Sequence, residues 1–212
     1  MIILYLVILS VNKKEKMKKE ERNLRIYLFR HGQTSYNRDQ RFTGFHDPKL
    51  TKLGKEQAKT IAKKLKNKRF GIAFYTRLKR SKQTLKEVLK YHPECKKQIK
   101  DDRIIERNYG NLNGTSHDDF IKKYGEDKYN LIHRGYNVPP PGGESFAMVE
   151  KRIKSFIKDL TKLMKKEKCN VAISAHGNSI RLFRKIMEKA SQKEACEWII
   201  PYDKVFEYKI KS

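Results

Sequence analysis

The sequence predicts an α/β fold: a three-layer sandwich in which helices flank a mostly parallel central sheet, with a loop-rich lid insertion. Short apolar runs alternate with segments of helical periodicity from residue 25 onward. This alternation is typical of parallel sheets covered on both faces. Two of the apolar runs end in His-Gly, at 31–32 and 176–177. A length of 212 residues suits one domain with a full core.

The first half of the chain holds three predicted strands and two predicted helices. The apolar runs at 26–29 and 71–75 indicate strands, and 103–105 indicates a short third strand. Apolar residues recur at helical spacing in the segment 54–66, and similar spacing marks 79–90. Each of these two segments therefore predicts an amphipathic helix.

The second half repeats the alternation after a break. The longest helix is predicted over 145–166, the strand 171–174 follows it, and a further helix carries Ile180, Phe183 and Met187. A closing strand at 205–210 is expected at the sheet edge. Between 108 and 145 the periodicity is lost among glycines and a Pro-Pro-Pro-Gly-Gly run. Because long irregular insertions in compact domains are usually functional, this segment predicts a lid over the strand ends.

Residues 1–22 fall outside this pattern, so the predicted domain spans residues 23–212. The apolar run at 2–9 is too short for a membrane span, which needs about 20 residues. It also lacks the basic start and the cleavage site of a secretory signal. The charged stretch after it, which contains Met17, fits a disordered extension or a wrongly assigned start at least as well as a weak anchor. We therefore expect no stable membrane insertion.

The formal net charge is +26, from 50 Lys+Arg against 24 Asp+Glu. Basic surfaces can bind nucleic acid or anionic membranes. Here the lysines are spread over every segment and no basic stripe is interleaved with aromatic residues. We therefore expect a solvated surface that attracts small phosphorylated anions and binds no specific nucleic acid. Cys95, Cys169 and Cys196 lack metal-ligand spacing and predict free thiols in a cytoplasmic protein.

Two motifs carry the chemistry: Arg30-His31-Gly32 and Ser174-Ala175-His176-Gly177-Asn178. Each follows a predicted strand, so both imidazoles are expected at the carboxyl edge of the sheet, where open α/β folds place ligands. Glycine allows a close approach of the backbone, and the planar fork of arginine matches phosphate oxygens. A single histidine after a strand is usually a surface or core residue, but two such motifs in one chain favour a catalytic site.

Phosphoryl transfer through histidine needs an unprotonated nitrogen, cations around the phosphoryl oxygens and an acid for the leaving oxygen. His31 is the candidate nucleophile. The candidate charge clamp consists of Arg30, Arg80 and His176, although Arg80 lies among lysines and by composition alone would face solvent. Glu106, expected at the end of the predicted strand 103–105, is the candidate acid and base. His46 and His92 are expected to be surface residues.

Several short motifs occur in the order of a known family. They are Arg30-His31-Gly32-Gln33-Thr34 with Asn37, Arg41-Phe42-Thr43-Gly44, Leu50-Thr51-Lys52-Leu53-Gly54, Lys79-Arg80-Ser81, Glu106-Arg107-Asn108-Tyr109-Gly110, Arg134-Gly135-Tyr136-Asn137-Val138-Pro139-Pro140 and His176-Gly177-Asn178-Ser179-Ile180-Arg181. Over about residues 24–210 the chain resembles the histidine phosphatase superfamily. Within it, the chain is most similar to the cofactor-dependent phosphoglycerate mutases.

The resemblance implies a role for each matching residue. His31 becomes the phosphohistidine and Glu106 moves the proton, while Arg30, Arg80 and His176 hold the transferred group together with Asn37. The residues implied to line a pocket for a phosphorylated carboxylic acid are Thr43, Gly44, Arg107, Tyr109, Arg134 and Asn178. The implied reaction interconverts 3-phosphoglycerate and 2-phosphoglycerate, with 2,3-bisphosphoglycerate as phosphoryl primer and no metal. The partner is a small phosphorylated substrate, and the oligomeric state, a homo-oligomer included, is left open.

Departures from the mutase pattern keep two other functions open. His117 stands where mutases usually have Lys, and His133 stands where a second Arg usually precedes Arg134. A neutral imidazole cannot replace a bidentate fork. The segment between Pro141 and Glu144 is also short, and little chain follows the last strand. A leakier site would favour a phosphomonoester phosphatase that uses the same histidine. A non-catalytic basic binding module is disfavoured because the catalytic set is intact.

Overall fold

A computed structural model describes residues 23–211. Its five strands form one sheet: β1 (Asn23–Arg30), β2 (Ile72–Tyr75), β3 (Lys97–Lys100), β4 (Val171–Ala175) and β5 (Val205–Lys211). The strand order is β3-β2-β4-β1-β5. The first four strands of that order are parallel, and β5 pairs antiparallel with β1 at one edge. The residues before 23, and with them the expectations for 1–22, lie outside the described part of the chain.

Eight α-helices occur among residues 23–211. They are α1 (Ser35–Arg38), α2 (Lys52–Leu65), α3 (Lys79–Leu89), α4 (His117–Tyr124), α5 (Glu126–Arg134), α6 (Phe146–Glu167), α7 (Gly177–Glu188) and α8 (Gln192–Glu197). Side-chain caps fix the beginnings of the long helices: Thr51 accepts from the backbone of Gly54 in α2, and Ser145 accepts from Met148 in α6. No helix in this range is long and apolar enough to cross a membrane.

The two faces of the sheet are covered by different helices, as alternate residues of β1 show. Tyr27 and Phe29 pack in one cluster with buried residues of α2 and α3, whereas Ile26 and Leu28 pack in a second cluster with residues of α6 and α7. Successive side chains of a strand point to opposite faces, so β1 is buried on both sides. The predicted three-layer α/β sandwich with a mostly parallel sheet is confirmed.

The predicted third strand at 103–105 is wrong. Residues Asp102–Ile104 form a 3₁₀ turn, in which the Asp101 carboxylate accepts from the backbone and guanidinium of Arg103. The strand lies earlier, at β3, where three of four residues are exposed and two are lysines. An edge strand with so little burial lacks the apolar run on which the prediction depended.

The lid, defined as residues 108–145, is more regular than the predicted loop. It contains α4 and α5, which are polar helices with one buried residue each. These residues, Phe120 and Ile132, pack with Phe42 and Tyr109 in a small core of their own. Because this core is separate from the two clusters on the sheet, the lid is a subdomain attached over the carboxyl ends of the strands.

His92 is buried, which corrects the expectation of a surface residue. Only 2% of it is exposed, its ring lies 4.2 Å from that of Phe70, and its Nδ1 pairs with Glu94 at 2.9 Å. The turn after α3 folds it inward, which its polar sequence neighbours do not reveal. His46 is exposed, as expected.

Candidate active site

The pairing of β1 with β4 brings the two His-Gly motifs together. Arg30 at the end of β1 is in register with Ala175, and the backbone amide of His31 donates to the Ala175 carbonyl at 3.1 Å. The rings of His31 and His176 consequently lie 4.9 Å apart between centroids. Parallel neighbours end at the same edge of the sheet, so this meeting follows from the topology.

His31 is held as a neutral imidazole with one unprotonated ring nitrogen. Its ring is buried, and its Nδ1 lies 2.7 Å from the Gly32 carbonyl, which makes Nδ1 the protonated nitrogen. Burial lowers its pKa well below the ordinary value, and the charges of Arg80 and Arg30 lower it further. Nε2 is therefore an unprotonated nitrogen, which is the form that attacks phosphorus.

Two glycines let the His31 loop lie against the beginning of α2. A Cβ on Gly32 would lie 2.0 Å from the Gly54 carbonyl oxygen, and a Cβ on Gly54 would lie 2.0 Å from that of Gln33. Both distances are far inside van der Waals contact. Side chains at either position would push the loop and helix apart, so the two motifs that contain these glycines depend on each other.

Arg80 is a fully buried cation that points at His31. Its Nε donates to His31 Nε2 at 3.2 Å, while the remaining nitrogens donate to the carbonyls of Gly44 at 2.9 Å and His46 at 2.6 Å. Burial lowers its pKa to about 10, with Glu106 and Asp47 opposing the shift. Arg80 therefore remains charged at neutral pH. Its burial is contrary to what its lysine-rich helix suggests.

Two buried polar atoms in the residues around His31 have no partner among residues 23–211: Nδ1 of His176 and Nε of Arg30. The other ring nitrogen of His176 pairs with the Thr76 hydroxyl at 2.9 Å. Buried polar groups normally form hydrogen bonds, so these atoms indicate where a ligand is received. Since an arginine donor is a partner for oxygen anions, they suit a phosphoryl group. Within the same residues no cluster of metal-ligating side chains occurs.

Glu106 lines the pocket and is 6% exposed. One carboxylate oxygen accepts from the amides of Arg107 at 2.8 Å and Asn178 at 3.0 Å. The second amide belongs to the first turn of α7, whose dipole favours a negative charge there. Glu106 follows the 3₁₀ turn and not the predicted strand, yet it still faces the pocket.

A pocket opens beside these residues. Its lining residues are Arg30, Asn37, Arg41, Phe42, Thr43, Gly44, Glu106, Tyr109, His117, His133, Gly177, Asn178, Arg181 and Ile200. The arginines come from the sheet side and the segments beside it, whereas the lid contributes an aromatic and imidazole wall. His117 and His133 lie 5.1 Å apart in that wall, and Phe42 packs against both.

The structure places most of the expected substrate-binding residues in the pocket lining, with two exceptions. The guanidinium of Arg107 is fully buried and donates to the carbonyls of Glu144, Ile132 and His133. Arg134 donates to the Cys196 carbonyl at 2.8 Å and is not among the lining residues. Every nitrogen of the Arg107 guanidinium thus donates to the lid backbone, and its implied contact with substrate stays a prediction.

Sequence reasoning missed the roles of Arg41 and Arg181, which both line the pocket. Arg181 donates to the side-chain oxygen of Asn178 at 2.7 Å. The two residues are three apart on α7, so they share one helix face. That spacing, with Asn178 already selected, is the signal that could have identified Arg181.

Residues 26–211 match the sequence model of the histidine phosphatase superfamily (branch 1). The chain belongs to this superfamily. A 2,3-bisphosphoglycerate-dependent phosphoglycerate mutase of Nitrobacter winogradskyi is 36% identical over 173 residues, which cover 80% of this chain and 83% of that protein. A mutase of the same name from Rhizobium rhizogenes is 37% identical, with 80% and 82% covered.

Solved structures of this superfamily fold include proteins with different activities. A putative α-ribazole-5′-phosphate phosphatase from Escherichia coli superposes with a TM-score of 0.76 at 21% identity, covering 88% of this chain and 90% of its own. Phosphoglycerate mutase from Bacillus anthracis superposes with a TM-score of 0.72 at 22% identity, covering 91% of both chains. At this level of identity the superposition shows the shared fold.

Proposed function

We propose that the protein interconverts 3-phosphoglycerate and 2-phosphoglycerate through a phosphohistidine on His31. The observation that carries the phosphoryl-transfer part is the neutral His31, whose Nε2 lies 3.2 Å from the buried Arg80 cation. The mutase part is supported by the names of the relatives that are 36–37% identical. His-Gly-Asn at 176–178 also favours the mutase branch over the broad phosphatases.

In the proposed reaction, His31 Nε2 attacks the phosphorus in line and the ester oxygen leaves. Arg80, Arg30 and His176 hold the three phosphoryl oxygens, on which charge is spread in the transition state. Glu106 donates the proton to the leaving oxygen and takes one from the hydroxyl that attacks next. Asn37, Thr43, Gly44, Tyr109 and Asn178 line the pocket around the remainder of the substrate.

The site is consistent with the bisphosphate primer. The unpaired His176 and Arg30 nitrogens suit one phosphoryl group, and Arg41 and Arg181 are cations available in the same pocket for a second anionic group. When bound, 2,3-bisphosphoglycerate supplies the phosphoryl group that first loads the histidine. We propose a small phosphorylated substrate, no metal requirement and a cytoplasmic setting, the last from the three free cysteines.

A second candidate function, a phosphomonoester phosphatase, is favoured by the two lid histidines. Burial lowers the pKa of His133 to about 2, helped by the charge of Arg134, and burial also lowers the pKa of His117. Both rings are neutral at pH 7 and supply no charge to retain a carboxylate. Earlier release of the intermediate would leave phosphohistidine to react with water.

One assay separates the two candidates. Purified protein is given 3-phosphoglycerate with and without 2,3-bisphosphoglycerate, and 2-phosphoglycerate and free phosphate are followed together. Primer-dependent formation of 2-phosphoglycerate in excess of free phosphate is expected of a mutase. Free phosphate as the main product, without a need for primer, would support the phosphatase instead.

A further inference from the structure

Three arginines from three separate elements donate to one short stretch of main chain. Each bond is 2.8 Å long: Arg134 to the carbonyl of Cys196, Arg181 to that of Trp198, and Arg30 to that of Ile200. We name residues 196–200 the carbonyl strap. Arg30 and Arg181 line the pocket, so the strap binds two of the pocket's cations.

The local geometry explains why alternate carbonyls are available. Cys196 lies in the last turn of α8, where helix carbonyls lack intrahelical partners and the helix dipole attracts cations. Trp198 then adopts an extended conformation with φ −56° and ψ 137°. In an extended chain, residues two apart face the same side. The side chains show the same alternation: Ile199 is 80% exposed and Ile200 is buried.

The strap also offsets repulsion between the arginines. Burial, together with the charges of Arg134 and Arg30, lowers the pKa of Arg181 to about 10. Three guanidiniums that repel one another would separate toward solvent unless something held them. The strap supplies three carbonyl dipoles at the required places, so the pocket is preorganised for an anion before one binds.

Trp198 belongs to the carbonyl strap, and its side chain is held in place by contacts outside the pocket. The Arg184 guanidinium stacks on its ring at 3.9 Å, and Arg184 is itself fixed by two hydrogen bonds to Glu188 at 3.0 and 3.1 Å. Neither Trp198 nor Arg184 is among the pocket-lining residues. Their effect on a ligand must therefore pass through the main-chain carbonyls.

We propose that Trp198 is a positioning residue that holds Arg30 and Arg181 in place for an anionic substrate through the carbonyl strap. This inference rests on the proposed phosphoryl-transfer function for its kinetic consequences. Its binding consequence is independent of turnover, because the same arginines would bind inorganic phosphate.

The test compares Trp198→Ala with Trp198→Phe, which keeps an aromatic face for Arg184. Inorganic phosphate binding is measured by calorimetry, and the KM for phosphorylated substrate is measured beside kcat. Trp198→Ala is expected to weaken phosphate binding and raise KM by about tenfold, the loss of roughly one charge-assisted hydrogen bond. Trp198→Phe is expected to recover most of the affinity. Phe70→Ala, in the core on the opposite face of the sheet, is the control for lost stability.

Two results would overturn the proposal. One is a Trp198→Ala protein with lowered thermal stability but wild-type phosphate affinity and KM. The other is an equal loss of affinity in the Phe70→Ala control. If Trp198→Ala does not fold, Arg184→Met removes the stack while leaving the indole, and unchanged phosphate affinity there has the same meaning. If wild-type protein binds phosphate but forms no phosphohistidine, the proposed function is wrong. The role of the carbonyl strap is then still decided by the phosphate affinities of the variants.

Discussion

Arg80 donates its Nε hydrogen to the Nε2 of His31, so the buried cation and the unprotonated ring nitrogen face the same point in the protein. A phosphoryl group placed at that point would meet the lone pair of His31 and the positive charge of Arg80 together. The contact also keeps the imidazole from protonating, because a proton on Nε2 would face a fixed guanidinium.

Replacing His31 with Ala should abolish both activity and phosphoenzyme, because it removes the imidazole nitrogen to which Arg80 donates. The measurement is incubation with labelled 2,3-bisphosphoglycerate, followed by a search for an acid-labile, base-stable adduct. His92→Gln, which alters a buried histidine paired with Glu94 away from the pocket, should still label. Persistent labelling of the His31→Ala protein would remove this histidine from the mechanism.

Replacing Glu106 with Gln should lower kcat by about 10²–10⁴-fold, because proton transfer contributes that much to such reactions. KM should change little, as glutamine can keep the hydrogen bonds to the amides of Arg107 and Asn178. Esters with leaving groups that need no proton should react at nearly the wild-type rate. An equal loss for good and poor leaving groups would instead give Glu106 a structural role.

The double substitution His117→Lys with His133→Arg should raise the ratio of mutase to phosphatase activity. Both changes add a fixed charge to a pocket wall that is neutral at pH 7, and each charge-assisted hydrogen bond is worth about 1.5–3 kcal/mol. The intermediate should stay bound about tenfold longer or more, which favours return of the phosphoryl group. An unchanged ratio with both rates intact would show that these positions do not contact substrate.

The free energy of unfolding should fall as the pH drops below about 6.5, which is the ordinary pKa of histidine. His133 has a pKa of about 2 in the folded protein, so between pH 6.5 and 2 the unfolded chain binds the extra proton. The stability is therefore present above pH 6.5 and is lost toward low pH, by up to about 1.4 kcal/mol per pH unit. Urea unfolding of His133→Phe from pH 7 to 4.5 should give a shallower loss than wild type, whereas the exposed His46→Phe should match it.

Replacing Arg107 with Met should lower the free energy of unfolding by about 2–4 kcal/mol, because buried carbonyls of the lid lose their donor. Anchoring of the lid, and not direct contact with substrate, is the role that its hydrogen bonds indicate. Thermal unfolding measures the loss, and phosphate affinity measured well below the transition should stay near wild type. A large fall in affinity without a fall in stability would support the substrate-binding role.

Much of the architecture could be predicted because buried strands and amphipathic helices leave periodic patterns. β1 and β4 are apolar runs buried on both faces, and both end at the histidines that the site uses. β3 could not be predicted, since its burial is too slight to shape its composition. The helices of the lid were hidden by their polarity and by the surrounding glycines and prolines.

The residues of the candidate site also fall into those that could be predicted from the sequence and those that could not. Residues with fixed places at strand ends, such as His31 and His176, follow from motif and topology. The role of Arg107 depends on which carbonyls surround its guanidinium, and that is a property of the folded lid. The burial of His92 likewise depends on a turn that brings its ring onto Phe70.

The two edge strands of the sheet carry exposed lysines, so part of the large positive charge lies at the sheet edges. β3 presents Lys97 and Lys100, and β5 presents Lys209 and Lys211, all exposed at edges where no further strand from residues 23–211 pairs. A second molecule approaching either edge to extend the sheet would bring like charges together. The lysines that made β3 hard to recognise therefore act against edge-to-edge aggregation.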